Sequence, residues 1–180
     1  MGLESKHRER DLNLPKHRQK LIEAIEIDLK NDCNVLAVFY GGSIGAQNTD
    51  LYSDIDLRLV VKEEVFEEYR LNKKQRAKNW GTVLFFEDYP WATHSVAHYD
   101  YFIKVDSFYY KMNDMKPSVW LQNIKIVHDP TGLMKEGNQW HYLIYRVLKK
   151  WKFGEQNFLH MFTKSIEELC EMRFIMPFTA

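Results

Sequence analysis

"YGGSIGAQNTDLYSDIDLRLVV", residues 40–61, decides how the chain is read. A Gly-Gly-Ser turn closes the apolar run "VLAVFY" (35–40). Eleven residues after Ser43, Asp54-Ile55-Asp56 opens a second apolar run that continues to Val61. Both runs are short, rich in β-formers and bounded by turn residues, so both read as buried strands. Side chains two apart on a strand share a face. Asp54 and Asp56 therefore point one way, and Ile55 points into the core. Two carboxylates held this close repel unless they share cations, and hard divalent ions such as Mg²⁺ favour carboxylate oxygens. Gly41, Gly42 and Ser43 bring backbone N–H groups and a hydroxyl to the start of a predicted short helix, "IGAQN", a combination suited to phosphate oxygens. Turn and carboxylates together suit the two ends of one metal-bound polyphosphate. Taken singly, each has a plainer reading, a turn and a solvated strand edge; only the conjunction carries the chemistry.

The rest of the chain frames this stretch. Its 180 residues suggest one domain with a short appendage, and 45% apolar and 14% aromatic residues are enough for a buried core. Twenty-five basic residues balance 25 acidic ones, so there is no global attraction to nucleic acid. Cys33 and Cys170 make neither a disulfide framework nor a zinc site. No run approaches the roughly 18 apolar residues of a membrane span, and the N-terminus lacks a signal-peptide pattern. A cytoplasmic protein is expected. Pro15 can open a helix whose apolar face is Leu21, Ile22, Ile25 and Leu29. The basic segment before and around it, "KHRERDLNLPKHRQK", reads as solvated. Residues 63–80 read as an exposed helix, and 82–88, 96–111 and 123–129 as strands. From residue 138 two apolar faces at helical spacing, interrupted at Gly154, suggest a helical hairpin.

The conjunction, quoted in full as "VFYGGSIGAQNTDLYSDIDLRLVV", resembles the signature of the DNA polymerase β-like nucleotidyltransferase superfamily. Within it the chain is most similar to the bacterial small-molecule nucleotidyltransferases, the aminoglycoside and lincosamide group. A second stretch, "FIKVDSFYYKMNDMKPSVWLQNIKIVHDPTG", is similar to that family's later strand with its third carboxylate, and the likeness covers roughly residues 35–133. The resemblance implies an α/β nucleotidyltransferase core, residues 1–134, with about five strands in a mixed sheet. Helices would cover one face and the site the other, and a C-terminal helical hairpin would span 135–180.

The resemblance also implies a third acid on a neighbouring strand. Asp100 and Asp106 both fall on the long strand 96–111; with no bulge they share a face but lie about 20 Å apart at ~3.3 Å per residue. Only one of them can reach the metals, and Asp106, set between apolar residues, is the favoured one. Lys104 shares its face and either neutralises a triphosphate or pairs with Asp106. Arg58 is placed similarly relative to Asp56, with an exposed charge as the alternative. His94, His98 and His128 lack ligand spacing. Trp91, Trp120, Tyr99 and Tyr101 are candidates for stacking, though each is also a candidate for the core.

Implied, then, is nucleotidyl transfer from an NTP, ATP foremost, to a hydroxyl of a small molecule, with an antibiotic among the candidates. Asp54, Asp56 and Asp106 would hold two Mg²⁺ ions, and Gly41, Gly42, Ser43 and Lys104 the nucleotide. The hairpin is too small to enclose an acceptor alone, so a homodimer is expected. The alternative is a nucleotidyltransferase-type antitoxin or regulator that acts on a partner protein or an RNA.

Overall fold

The computed structural model describes residues 3–115, 121 and 123–134. The expected C-terminal hairpin, 135–180, and Trp120 lie outside the described residues. Within them the chain is mixed α/β, built on a six-stranded mixed sheet. The strands are β1 (Val35–Tyr40), β2 (Ile55–Val61), β3 (Val83–Asp88), β4 (His94–Tyr99), β5 (Lys104–Lys111) and β6 (Lys125–His128). Their order across the sheet is β3-β4-β5-β2-β1-β6. Only β2 and β5 pair in parallel; the other four pairings are antiparallel. Among the described residues no helix is long and apolar enough to cross a membrane.

The central strands form where the apolar runs require them. Ile55, Leu57, Leu59 and Val61 of β2 are fully buried on one face, together with Val38 and Tyr40 of β1 and Val105 and Tyr109 of β5. The helices α1 (Leu3–Lys30), α3 (Phe66–Leu71) and α4 (Lys73–Trp80) cover that face with Leu14, Leu21, Ile25, Leu29, Phe66, Tyr69, Ala77 and Trp80. The opposite face carries Asp56, Arg58 and Val60 of β2, by alternation. A smaller apolar cluster of Ala37, Phe39, Val60 and Met134 covers its far end.

Five local expectations are corrected. Pro15 does not open α1; it sits inside it, and the helix begins a dozen residues earlier. An interior proline removes a hydrogen bond and costs about 3 kcal/mol. Packing offsets that cost, because Leu14 is buried and Arg18 is 6% exposed. The basic segment is therefore half of a docked helix, not a solvated arm. Residues 63–80 are not one exposed helix. They form a 3-10 turn, α3 and α4, and Phe66, Tyr69, Lys73, Ala77 and Trp80 are buried. The stretch 96–111 is not one strand either: β4 and β5 run antiparallel, joined through Asp100–Phe102. Tyr101 and Phe102 turn the chain there with φ of 59° and 61°. Neither is a residue that usually takes the left-handed region, so nothing in "YDYFIK" announced a turn. Finally, the sheet has six strands, not five, because that turn makes two strands of one.

Candidate functional site

The parallel pairing of β2 with β5 builds the site. In its register Asp56 stands directly beside Asp106. Neighbouring strands lie about 4.8 Å apart, so the two carboxylates leave the sheet together on the face away from the helices. Asp54 lies just before β2, at the mouth of the same strand. Lys104 opens β5, and its Nζ donates to Asp54 Oδ2 at 2.8 Å and to Asp106 Oδ2 at 3.2 Å. One ammonium thus bridges two of the three predicted acids, drawing together side chains 52 residues apart in the chain.

The electrostatics follow from burial. Asp56 has its carboxyl pushed above the ordinary carboxylate range, chiefly by desolvation. The Asp106 and Asp54 charges push the same way, while the Arg58 and Lys104 cations oppose them. Lys104 is held above its ordinary value, first by its hydrogen bond to Asp54. Asp106 Oδ1 is buried with no hydrogen-bond partner among the described residues. An ionised carboxylate oxygen left in that state is destabilising unless a cation or donor reaches it. Among the described residues no three His, Cys, Asp or Glu side chains are already arranged around a metal position. Asp56 and Asp106 in register, with Asp54 joined to Asp106 through Lys104, still supply oxygen donors of the kind a hard divalent ion takes.

The glycine turn plays a part the spacing did not foretell. Gly41 donates its N–H to the Asp56 carbonyl at 2.9 Å, so that donor is not open to a phosphate. Among the described residues the N–H groups of Gly42 and Ser43 donate to no backbone carbonyl outside the short helix α2 (Gly42–Gly45). Gly42 has φ of +52°, and a Cβ there would stand 1.8 Å from Asp56 Oδ2. A Cβ on Gly41 would stand 1.7 Å from Nη1 of Arg58. The two glycines are thus needed so that a carboxylate and a guanidinium can lie against the turn.

The remaining candidates divide. Asp100 is in the β4–β5 connection and lines a separate cavity with His17, Trp80 and Tyr99, on the helix side. Tyr99 is buried and donates to the Ala77 carbonyl at 2.7 Å, so it is core. Tyr101 stacks on His17, with ring centroids 3.7 Å apart. Trp91 is 75% exposed at the β3–β4 tip, beside Tyr89. His98 pairs with Glu87 at 2.6 Å, His94 lies against Phe108, and His128 sits in β6 opposite Val38.

Two residues matter more than their sequence context suggested. Arg58 is not an exposed charge; it is 7% exposed and lies over the Phe108 ring. The signal was present, a lone charge inside "DLRLVV", but alternation alone does not say whether that face is covered. Arg18 was not singled out at all. It donates to the carbonyls of Asp50, Leu51 and Ser53 at 2.9–3.3 Å, fixing the loop that leads into Asp54. Nothing in the local sequence links a helix residue to a loop more than 30 positions away.

Fold and site together define, among the described residues, a mixed α/β unit with Asp54, Asp56 and Asp106 gathered at the mouth of the parallel pair β2 and β5. No protein-family model matches the chain, and no curated protein matches it.

Proposed function

We propose that the chain is a metal-dependent nucleotidyltransferase of the polymerase β-like kind, passing a nucleoside monophosphate from an NTP to a hydroxyl of a small molecule. The observation that carries this reading is the register of Asp56 beside Asp106, with Asp54 tied to the same cluster through Lys104. Three acids from two neighbouring strands have little structural reason to converge, since their mutual repulsion raises the cost of ionising Asp56.

In this reading Asp54, Asp56 and Asp106 hold Mg²⁺. The bound ions would supply Lewis-acid activation of the acceptor hydroxyl and charge neutralisation of the departing pyrophosphate. The protein residues do the rest. Asp106, on the strand parallel to β2, orients the acceptor oxygen and can take up its proton. Gly42 and Ser43 donate to phosphate oxygens, in place of the trio first expected. Lys104, which now pairs with Asp54 and Asp106, would be free to turn its ammonium to the polyphosphate when those carboxylates hold ions instead. The hydroxyl oxygen bonds to the α-phosphorus while the bond from that phosphorus to the bridging oxygen breaks, so positioning and charge supply most of the acceleration.

The test is incubation with Mg²⁺ and each of the four NTPs against a panel of hydroxyl-bearing acceptors, scored by pyrophosphate release. Asp54→Asn and Asp56→Asn should fold and lose turnover by at least about 100-fold. Undiminished NTP consumption in both purified variants would defeat the assignment.

A further inference from the structure

Arg58 is a buried cation that acts on the Asp56 charge from beyond ion-pair distance. Its Nε and Nη1 are shut off from solvent and have no hydrogen-bond partner among the described residues. Among the described residues no carboxylate comes within ion-pair distance of it. Its guanidinium carbon lies 5.1 Å over the Phe108 ring, and Nη1 rests against Gly41, where only a glycine leaves room. A guanidinium does not shed its proton under such conditions, so the charge stays. Buried guanidinium donors that meet no acceptor cost a fold free energy. The position is therefore costly to the fold. Its guanidinium lies beside the turn whose Gly42 and Ser43 N–H groups, among the described residues, donate to no backbone carbonyl outside their own short helix, and it stems from two positions along β2 from Asp56.

We infer that Arg58 is an anion-holding residue of the site, its guanidinium taking an oxygen of the polyphosphate end of the nucleotide. This rests on the reading above and adds to it the residue that secures the leaving group. A planar fork of donors suits a phosphate oxyanion, and a desolvated surround strengthens the contact.

The test compares wild type, Arg58→Met and Arg58→Lys. Calorimetric titration with inorganic pyrophosphate in Mg²⁺, and separately with AMP, reads affinity; thermal unfolding without ligand reads stability. Arg58→Met should unfold at the same or a higher temperature, yet bind pyrophosphate about 10- to 100-fold more weakly. AMP affinity should stay within about 2-fold of wild type, as AMP lacks the leaving end. Arg58→Lys keeps the charge and loses the fork, and should fall between the two for pyrophosphate. A methionine variant that unfolds at a lower temperature marks Arg58 as a structural cation and overturns the inference. So does pyrophosphate affinity equal to wild type in both variants, or an equal loss of AMP affinity, which would place the contact at the α-phosphate. If the wild type consumes NTP while the variants bind pyrophosphate unchanged, only this inference falls. If the wild type neither consumes NTP nor binds pyrophosphate, the nucleotidyltransferase reading falls with it.

Discussion

Gly42 concentrates the physics of the site in one residue. Its φ of +52° costs other residues about 1–2 kcal/mol, and any Cβ would collide with the Asp56 carboxylate. Gly42→Ala should lower unfolding free energy by at least about 1–2 kcal/mol in denaturant titration and abolish magnesium-dependent NTP consumption. Gly132 is the matched control. It has φ of +76° with nothing within 4 Å of a built Cβ, so Gly132→Ala should cost about as much stability and leave turnover intact. Asp56 gives a pH signature. Its folded-state pKa lies above the unfolded value of about 3.9. Below that value the carboxyl is protonated in both states and contributes nothing. As pH rises, the unfolded chain releases the proton first and the native state is destabilised relative to it. Asp56→Asn should therefore raise Tm at pH 7, and the gain should vanish in scans below about pH 4. A gain that persists at pH 3 would mean that burial of the charge is not the cause.

At the scale of elements, two long side chains do work that their helices alone do not explain. Arg18 reaches from α1 to three carbonyls of residues 50–53 and so sets where β2, and Asp54 with it, begins. Charged-group hydrogen bonds contribute about 1.5–3 kcal/mol each, but solvent replaces part of them, so Arg18→Ala should cost about 2–3 kcal/mol in denaturant titration. It should also slow NTP consumption through Asp54, and Arg18→Lys should restore stability better than turnover. Lys73 of α4 is fully buried. Its Nζ meets Asp88 Oδ1 at 2.5 Å and the Ala92 carbonyl at 2.6 Å, tying α4 to the end of β3 and to the turn beyond it. Lys73→Ala strands a partly buried carboxylate and should cost about 3 kcal/mol. Joint replacement of Lys73 and Asp88 by methionine and leucine should recover much of that loss in the same titration.

For the whole molecule, stability should grade outward from β2. Its neighbours β1 and β5 are paired on both sides, whereas β3 and β6 are edge strands, and Leu84 and Phe85 of β3 are largely exposed. Native-state hydrogen exchange should show amides of β1, β2 and β5 opening only with global unfolding, and those of β3 and β6 opening at lower free energy. Uniform protection across all six strands would contradict this. The same gradient tracks what was legible. β1 and β2 could be read directly, because strands buried on both faces must be near-continuous apolar runs. The break between β4 and β5 could not, since Tyr101 and Phe102 adopt a conformation their type seldom takes. Nor could the start of α1, because Pro15 looks like a first-turn residue wherever the helix begins.

From its own pattern the chain settled which residues are acidic, how far Asp54 and Asp56 lie from the glycine turn, and that the runs beside them are strands. Alternation and turn chemistry are local, so they survive without any knowledge of neighbours. Tertiary structure alone decided that β5 lies parallel to β2 in the register that sets Asp106 against Asp56. It also decided that Arg58 is buried against Gly41 and that Arg18 holds the loop before Asp54. Those outcomes depend on pairing and desolvation between segments tens of residues apart, whose free energy comes from the joint burial of a whole sheet and is written in no single stretch of it.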